Sequence, residues 1–263
     1  MTDAIRTTNY TPDALNRLAT LTSPNAGAFI FSYDNLNRRQ NMTMGNGIVA
    51  TYSYDDASQL TNLVFKDGAV IVTSNEYPLY DDVGNRKTEI DLSGTHGYNY
   101  DALYMLTSAT HPTGNPNEFF NYIDPVGSVG NRTSSHLSSS YTTNELNRVT
   151  EDDSYFYGYD ADGNMISKQN KSTNETTYFY FDAENKLVQV DKYNSSNQLI
   201  STASYYYDGF GRRIKKSVNG VVMFYVYDNE DIRFETDAVG TITAEYTHGP
   251  AIDEPLSMRR AGE

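Results

Sequence analysis

Along the whole chain, short runs of alternating apolar and polar residues are broken by gaps rich in Gly, Asn and Asp. AFIFSYD (28–34), ATYSYD (50–55), YFYGYD (155–160) and TTYFYFD (176–182) show the pattern. Successive side chains of a strand point to opposite faces, so aromatics two apart share one face. Each run predicts a strand and each gap a turn. No stretch carries a helical period.

The runs end on one phrase. It stands at Tyr33-Asp34, Tyr54-Asp55, Tyr80-Asp81, Tyr100-Asp101, Tyr159-Asp160, Tyr207-Asp208 and Tyr227-Asp228. Weaker copies lie at Pro12-Asp13, Ile123-Asp124, Thr143-Asn144 and Phe181-Asp182, making eleven copies spaced by about 21 to 22 residues. Four residues after the Tyr position come Asn16, Asn37, Ser58, Gly84, Gly127, Asn147, Gly163, Asn185, Gly211 and Asp231, with Tyr104 departing. Gly and Asn tolerate positive φ. An Asp three residues earlier can accept local backbone N–H groups. Asp-x-x-Gly/Asn therefore predicts a hairpin loop. Two residues before the Tyr position lie Tyr10, Phe31, Tyr52, Tyr98, Tyr141, Tyr157, Phe179, Tyr205 and Tyr225, which keep one strand face aromatic. A second turn is expected in each spacer, at Gly45–Gly47, Lys66-Asp67-Gly68, Ser93-Gly94 and Asn219-Gly220, the last a two-residue hairpin signal. The spacer at 187–205 predicts a longer hairpin tipped by Asn194 to Asn197.

The phrases YDNLNRR (33–39), YDDVGNR (80–86), YDALYMLTS (100–108), YDADGNM (159–165) and YDGFGRRI (207–214), with the variant PDALNRL (12–18), resemble the YD repeat of the RHS family. YTHGPAIDEPLSMRR (246–260) resembles the stretch near the end of such arrays. That family includes shells of bacterial polymorphic toxins, the shell component of insecticidal toxin complexes, and teneurins. The resemblance implies hairpins wound side by side into a spiral sheet around a hollow, and an extracellular or cell-surface location. In the bacterial shells it implies a toxic domain freed by self-cleavage. This chain is read as starting and ending within the array. It is expected to be a fragment, a truncated product or a small repeat protein built from the same hairpin.

The expected fold is therefore all-β: tandem antiparallel β-hairpin repeats in a spiral sheet forming an open turn or partial hollow shell. One array is expected over 1–263, with hairpins over 10–245 and a terminal segment at 246–263.

Composition narrows function. Hydrophobic residues are 38% of the chain, yet there are 23 Tyr and 11 Phe, so tyrosine carries much of the burial. The net charge of −14 opposes phosphate, and a nucleic-acid partner is not expected. The basic cluster Arg212, Arg213, Lys215 and Lys216 reads as a solvated strand face. No cysteine is present, which removes thiol chemistry and disulfides. MTDAIRTTNYTPDALNRL has no apolar core of a signal peptide, and no run reaches membrane-spanning length.

Candidate chemistry is thin. The aspartate ladder could hold Ca²⁺, first at Asp55-Asp56, Asp81-Asp82 and Asp152-Asp153, but one Asp per repeat favours turns, and no cofactor is expected. Asp124-Pro125-Val126-Gly127 has the shape found near the family's cleavage site, but it falls at a repeat's own turn. His96, His111, His136 and His248 lack metal-ligand spacing, and no Gly-x-Ser-x-Gly occurs. The expectation is a non-catalytic structural module with structural Tyr, Asp and Gly positions. Its partners would be protein cargo, neighbouring shell segments, or further copies at exposed strand edges. The alternative is a glycan- or partner-binding surface built on the tyrosine rows.

Overall fold

The computed structural model describes residues 7–122, 130–251 and 254–262. The weaker phrase at Ile123-Asp124 and the Asp124-Pro125-Val126-Gly127 motif lie outside them. Among the described residues there is no helix, and twenty-four strands form two twelve-stranded sheets. In each sheet the strands follow chain order and every recorded pairing is antiparallel. Neighbours in sequence are neighbours in space, as a string of hairpins demands. The protein is all-β, made of tandem hairpins laid side by side. The chain divides into two compact units: residues 1–119 with 247–259, and residues 120–246 with 260–263.

In the first unit, alternation along Gly27–Tyr33 and its neighbours places Leu21, Phe29, Phe31, Met42 and Ala50 in one buried cluster. Leu21 and Phe29 are fully buried, and Tyr33, Tyr52, Leu63 and Phe65 pack against them. The segment that closes this cluster comes from far along the chain. Leu256 packs on it, Ser23 and Thr247 share a hydroxyl hydrogen bond (3.0 Å), and Arg39 pairs with Glu254 (2.6 Å). The expected terminal segment thus folds back onto the first hairpins.

In the second unit the aromatics two before the repeat position again lie on the less exposed face of their strands, and Tyr225, Ala203 and Ala244 are buried. Two carboxylates are buried in the same unit. Asp191 accepts from Gln189 (2.7 Å) and Thr202 (2.6 Å), and Glu235 accepts from the Tyr246 hydroxyl (2.6 Å). Burial of such groups is tolerated because each has hydrogen-bond donors.

Gly163 shows why the turn column is Gly or Asn. Its φ is +98°, and an added Cβ would lie 3.2 Å from the Arg148 guanidinium. Gly163→Val is expected to lower stability by about 1 kcal/mol or more, read as a fall in the urea midpoint. An unchanged midpoint would contradict the left-handed turn at this position.

Candidate functional site: the tyrosine–aspartate ladder and a histidine pair

The repeated phrase builds one turn many times. At Asp34 the backbone N–H donates to the Arg38 carbonyl (2.9 Å), and the Asn37 N–H returns to the Asp34 carbonyl (3.1 Å). One carboxylate oxygen accepts from the N–H groups of Leu36 and Arg38, both at 2.9 Å, and the other takes the Arg38 guanidinium at 2.7 Å. The pair of backbone N–H groups on one carboxylate oxygen recurs at Asp13, Asp81, Asp101, Asp182 and Asp208, and the guanidinium on the other at Asp13 and Asp208. Asp55 accepts from Gln59 (2.8 Å), and Asp160 from Gly163 and Asn164 (both 2.8 Å). Asn144 does with its amide oxygen what its neighbours do with a carboxylate. The residue three after each, from Asn16 to Gly211, has positive φ; Ser58 at 64° and Tyr104 at 63° do so as well.

Two turns outside the eleven copies use the same scheme, the first of them at the hairpin tip expected at Asn194 to Asn197. Tyr193-Asn194 leads to Asn197 (φ 58°), and Thr236-Asp237 leads to Gly240 (φ 87°), with the same side-chain acceptance at Asn194 and Asp237. The signal was Asx-x-x-Gly/Asn without Tyr-Asp in front. The converse holds at Tyr227-Asp228. There Asp228 faces Asp231 across a two-residue loop, Asn229 carries the positive φ, and Asp231 begins the strand Asp231–Thr236. Asp231 is thus corrected from a turn position to a strand residue. Asp228 makes only a long ion pair with Arg233 (3.9 Å) among the contacts recorded for it.

Tyrosine has the second job. At each repeat the register slips: Ser32 faces Asn41 but Tyr33 faces Arg39, so Gln40 is squeezed out. The slip recurs at Tyr54, Tyr159, Phe181 and Tyr207. Such a bulge breaks the ladder locally and leaves backbone groups in need of partners. The next tyrosine supplies one. Tyr33 donates to Leu18, Tyr54 to Arg39, Tyr80 to Leu60 and Tyr100 to Arg86, at 2.5 to 2.9 Å. Tyr159 donates to Val149, Tyr207 to Leu187 and Tyr227 to Arg213, at 2.8 to 2.9 Å. Every acceptor is the residue that faces the preceding repeat's Tyr-equivalent position.

Arginine ties the two jobs together. Arg17 pairs with Asp13 and lies 4.5 Å from the Tyr33 ring centre. Arg38 pairs with Asp34 and lies 4.6 Å from Tyr54, and Arg212 pairs with Asp208 and lies 4.9 Å from Tyr227. Each guanidinium stacks on the ring of the following repeat, a favourable cation–π geometry. Arg38 also donates to the Asp55 carbonyl (3.1 Å), so turns join at one edge. Arg212 is therefore part of the ladder, and Arg213 lies 5.0 Å from the Tyr225 ring centre, which leaves less of the basic cluster free than composition alone suggests.

These contacts move the titrations. Asp13 is lowered from the usual carboxylate value, chiefly by the Arg17 N–H. At Asp34 and Asp208, desolvation pushes up but the arginine and backbone donors win. Burial raises Tyr33, Tyr54, Tyr100, Tyr159 and Tyr227. Tyr98 and Tyr246 are pushed up to about 12 by burial, then by donation to Glu89 and Glu235. At Asp13, Asp34, Asp81, Asp160 and Asp208 both carboxylate oxygens accept N–H donors, which compete with any cation there. Among the described residues no group of three or more His, Asp or Glu side chains is placed to hold a metal ion.

One constellation stands apart. Gly97 faces Thr110 in antiparallel register, and one step further His96 meets His111. Their Nδ1 atoms are 2.8 Å apart, with ring centres at 5.0 Å and planes at 69°. His96 Nε2 lies 3.3 Å from Asp91, and His111 Nε2 lies 3.4 Å from Glu118. Linear spacing hid this pair because 15 residues become a single cross-strand step in a hairpin.

No family model matches the chain. Over 156 residues it is 32% identical to the tRNA nuclease WapA of Bacillus subtilis (strain 168), covering 57% of this chain and 6% of that protein. It is 33% identical over 156 residues to the tRNA3(Ser)-specific nuclease WapA of Bacillus spizizenii, with the same coverages. It is 36% identical over 108 residues to the tRNA(Glu)-specific nuclease WapA of Bacillus subtilis subsp. natto, covering 40% of this chain and 4% of that protein. The chain thus matches only a small part of each relative's length. Among solved structures it is similar to TcdB2-TccC3 (TM-score 0.45) and to the Photorhabdus luminescens Tc holotoxin pore (TM-score 0.41). Each is 15% identical and covers 95% of this chain and 18% of that one. The WapA relatives correct the expectation of a non-catalytic module, whether shell segment or glycan-binding surface, and the expectation that no enzyme is involved: proteins at 32 to 36% identity are nucleases.

Two predictions follow from the ladder's geometry. Tyr54→Phe keeps the ring under Arg38 but removes the donor to Arg39. It should cost about 1 kcal/mol in chemical unfolding, while Tyr206→Phe, at a half-exposed ring, should change stability by less than about 0.5 kcal/mol. Equal effects would contradict the capture of the carbonyl. The pH dependence has two arms. The lowered aspartates contribute stability that is present above their unfolded value near 3.9 and is lost as pH falls below it. The raised tyrosines contribute stability that is present below about 10 and is lost as pH rises through their folded values, reaching about 12 for Tyr98 and Tyr246. Tyrosinate absorbance should rise together with loss of the sheet's circular dichroism between pH 10 and 12. A full tyrosine titration near pH 10 with the fold intact would contradict it.

Proposed function

We propose that this chain is a YD-repeat segment of a tRNA-directed nuclease of the WapA kind. The observation that carries this is the identity of 32 to 36% to three tRNA nucleases over 108 to 156 residues. The repeat phrases support it, since the matched stretch covers more than half of this chain in two of the three. The net charge of −14 gives the reading a particular form. The chain as a whole repels phosphate, so tRNA cleavage is a property of the polypeptide and not of a broad basic footprint here. On the same reading the polypeptide works with protein partners and is carried outside the producing cell or on its surface.

The test is expression of the complete reading frame that encodes this segment in a bacterial host, with individual tRNAs followed by hybridisation. Discrete cleavage of one or a few tRNA species is expected. Intact tRNA throughout, with the full polypeptide present at the expected mass, would overturn the proposal.

A further inference from the structure

We infer that His96 and His111 form a binding site for a borderline transition-metal dication of the Zn²⁺, Cu²⁺ or Ni²⁺ class. The proton count is the starting point. A neutral imidazole has one N–H and one lone pair. The Nε2 atoms face Asp91 Oδ1 at 3.3 Å and Glu118 Oε1 at 3.4 Å. The two Nδ1 atoms are 2.8 Å apart, a hydrogen-bond distance when one of them carries the proton. In the tautomers with both protons on Nε2, the two Nδ1 lone pairs face each other, and a small opening of the rings lets one cation take both.

The surroundings match what metal-bound histidines use. A ligating imidazole usually donates its other N–H to a carboxylate, which fixes the tautomer and raises ligand basicity. Here the Nε2 of each ring has a carboxylate oxygen within ion-pair distance, and the Ser93 hydroxyl lies 3.4 Å from that of His96. Asp91 is itself fixed by the Ser93 hydroxyl (2.6 Å) and by the N–H groups of Ser93 (2.7 Å) and Gly94 (3.0 Å), which donate to its Oδ1. The His111 N–H is anchored on the Asn117 side chain (2.9 Å), which steadies the strand end that carries it. The two histidine side chains are mostly buried, at 13% and 17% exposure, while Glu118 at 37% leaves an approach from solvent. Imidazole nitrogen selects Zn²⁺, Cu²⁺ or Ni²⁺ over Ca²⁺ and Mg²⁺, which prefer oxygen. No third His, Asp or Glu among the described residues converges on the same point, so water completes the shell. This inference is independent of the nuclease reading, since binding is measured without tRNA.

The experiment uses the full chain, freed of metal with a chelator. Zn²⁺ is titrated by calorimetry at pH 7.5, and the histidine side-chain nitrogens are followed by ¹H–¹⁵N long-range NMR. One equivalent is expected to bind, shifting Nδ1 of both His96 and His111 while Nε2 stays protonated. His96→Gln and His111→Gln should each weaken binding at least tenfold, and Glu118→Gln by about 10 to 100-fold. His136→Gln should leave it unchanged. If a variant fails to fold, the NMR of the unaltered chain still identifies the ligating nitrogens. A Nδ1 pair that shares a proton and ignores Zn²⁺, or binding indifferent to both substitutions, would overturn the inference.

Discussion

The structure depends on one backbone problem and its answer. A bulge at each repeat squeezes one residue out of the ladder, and where the following repeat carries tyrosine its hydroxyl donates to the carbonyl just before the squeezed-out residue. Neither half works alone. Without the bulge the carbonyl would be satisfied within its own hairpin, and without tyrosine the freed acceptor would go half-buried and unpaired. Tyrosine fits because its ring packs on the sheet face while its hydroxyl reaches the neighbouring strand. A chain with few aliphatic residues can therefore hold a wide sheet together by repeating a modest interaction rather than by building a deep core.

The aspartate turn and the arginine complete the unit. The carboxylate closes its own loop through backbone N–H groups, and the guanidinium that pairs with it covers the next repeat's ring. Where tyrosine or arginine is present the coupling runs in chain order, the hairpin bound to the one before it. Where arginine is replaced, as by Asn85 or Asn164, the side chain keeps the bond to its own aspartate (2.9 and 3.0 Å). Where aspartate is replaced by Asn144 or Asn194, the amide oxygen suffices for the turn. The acceptor geometry is the firm requirement, and the charge adds to it.

Much of this was legible in the sequence. Alternation with period two announced the strands, and Asp-x-x-Gly/Asn announced the turns, because positive φ and side-chain capping restrict residue type. The hairpin tip at Asn194 to Asn197 was read from its spacer, but elsewhere the phrase and the geometry part company. Tyr193-Asn194 and Thr236-Asp237 make the turn without the phrase, while Tyr227-Asp228 has the phrase but closes more tightly, at Asn229. The tyrosine bond to the previous hairpin was not readable, since it depends on a bulge that only pairing reveals. The His96–His111 pair was hidden because sequence distance says nothing about cross-strand register. The division into two units and the relation to tRNA nucleases had no signature in charge or motif; the acidic surface pointed away from nucleic acid.

The most direct measurement of the central claim is amide hydrogen exchange on Tyr54→Phe against the unaltered chain. If the hydroxyl of one repeat secures the bulge of the repeat before it, exchange should quicken in Arg39–Thr43 and Ile48–Tyr54 and stay unchanged in the hairpins around Tyr159 and Tyr207. Exchange that is unaltered at Arg39–Thr43, or that quickens evenly across both sheets, would contradict the claim that each tyrosine secures the repeat before it.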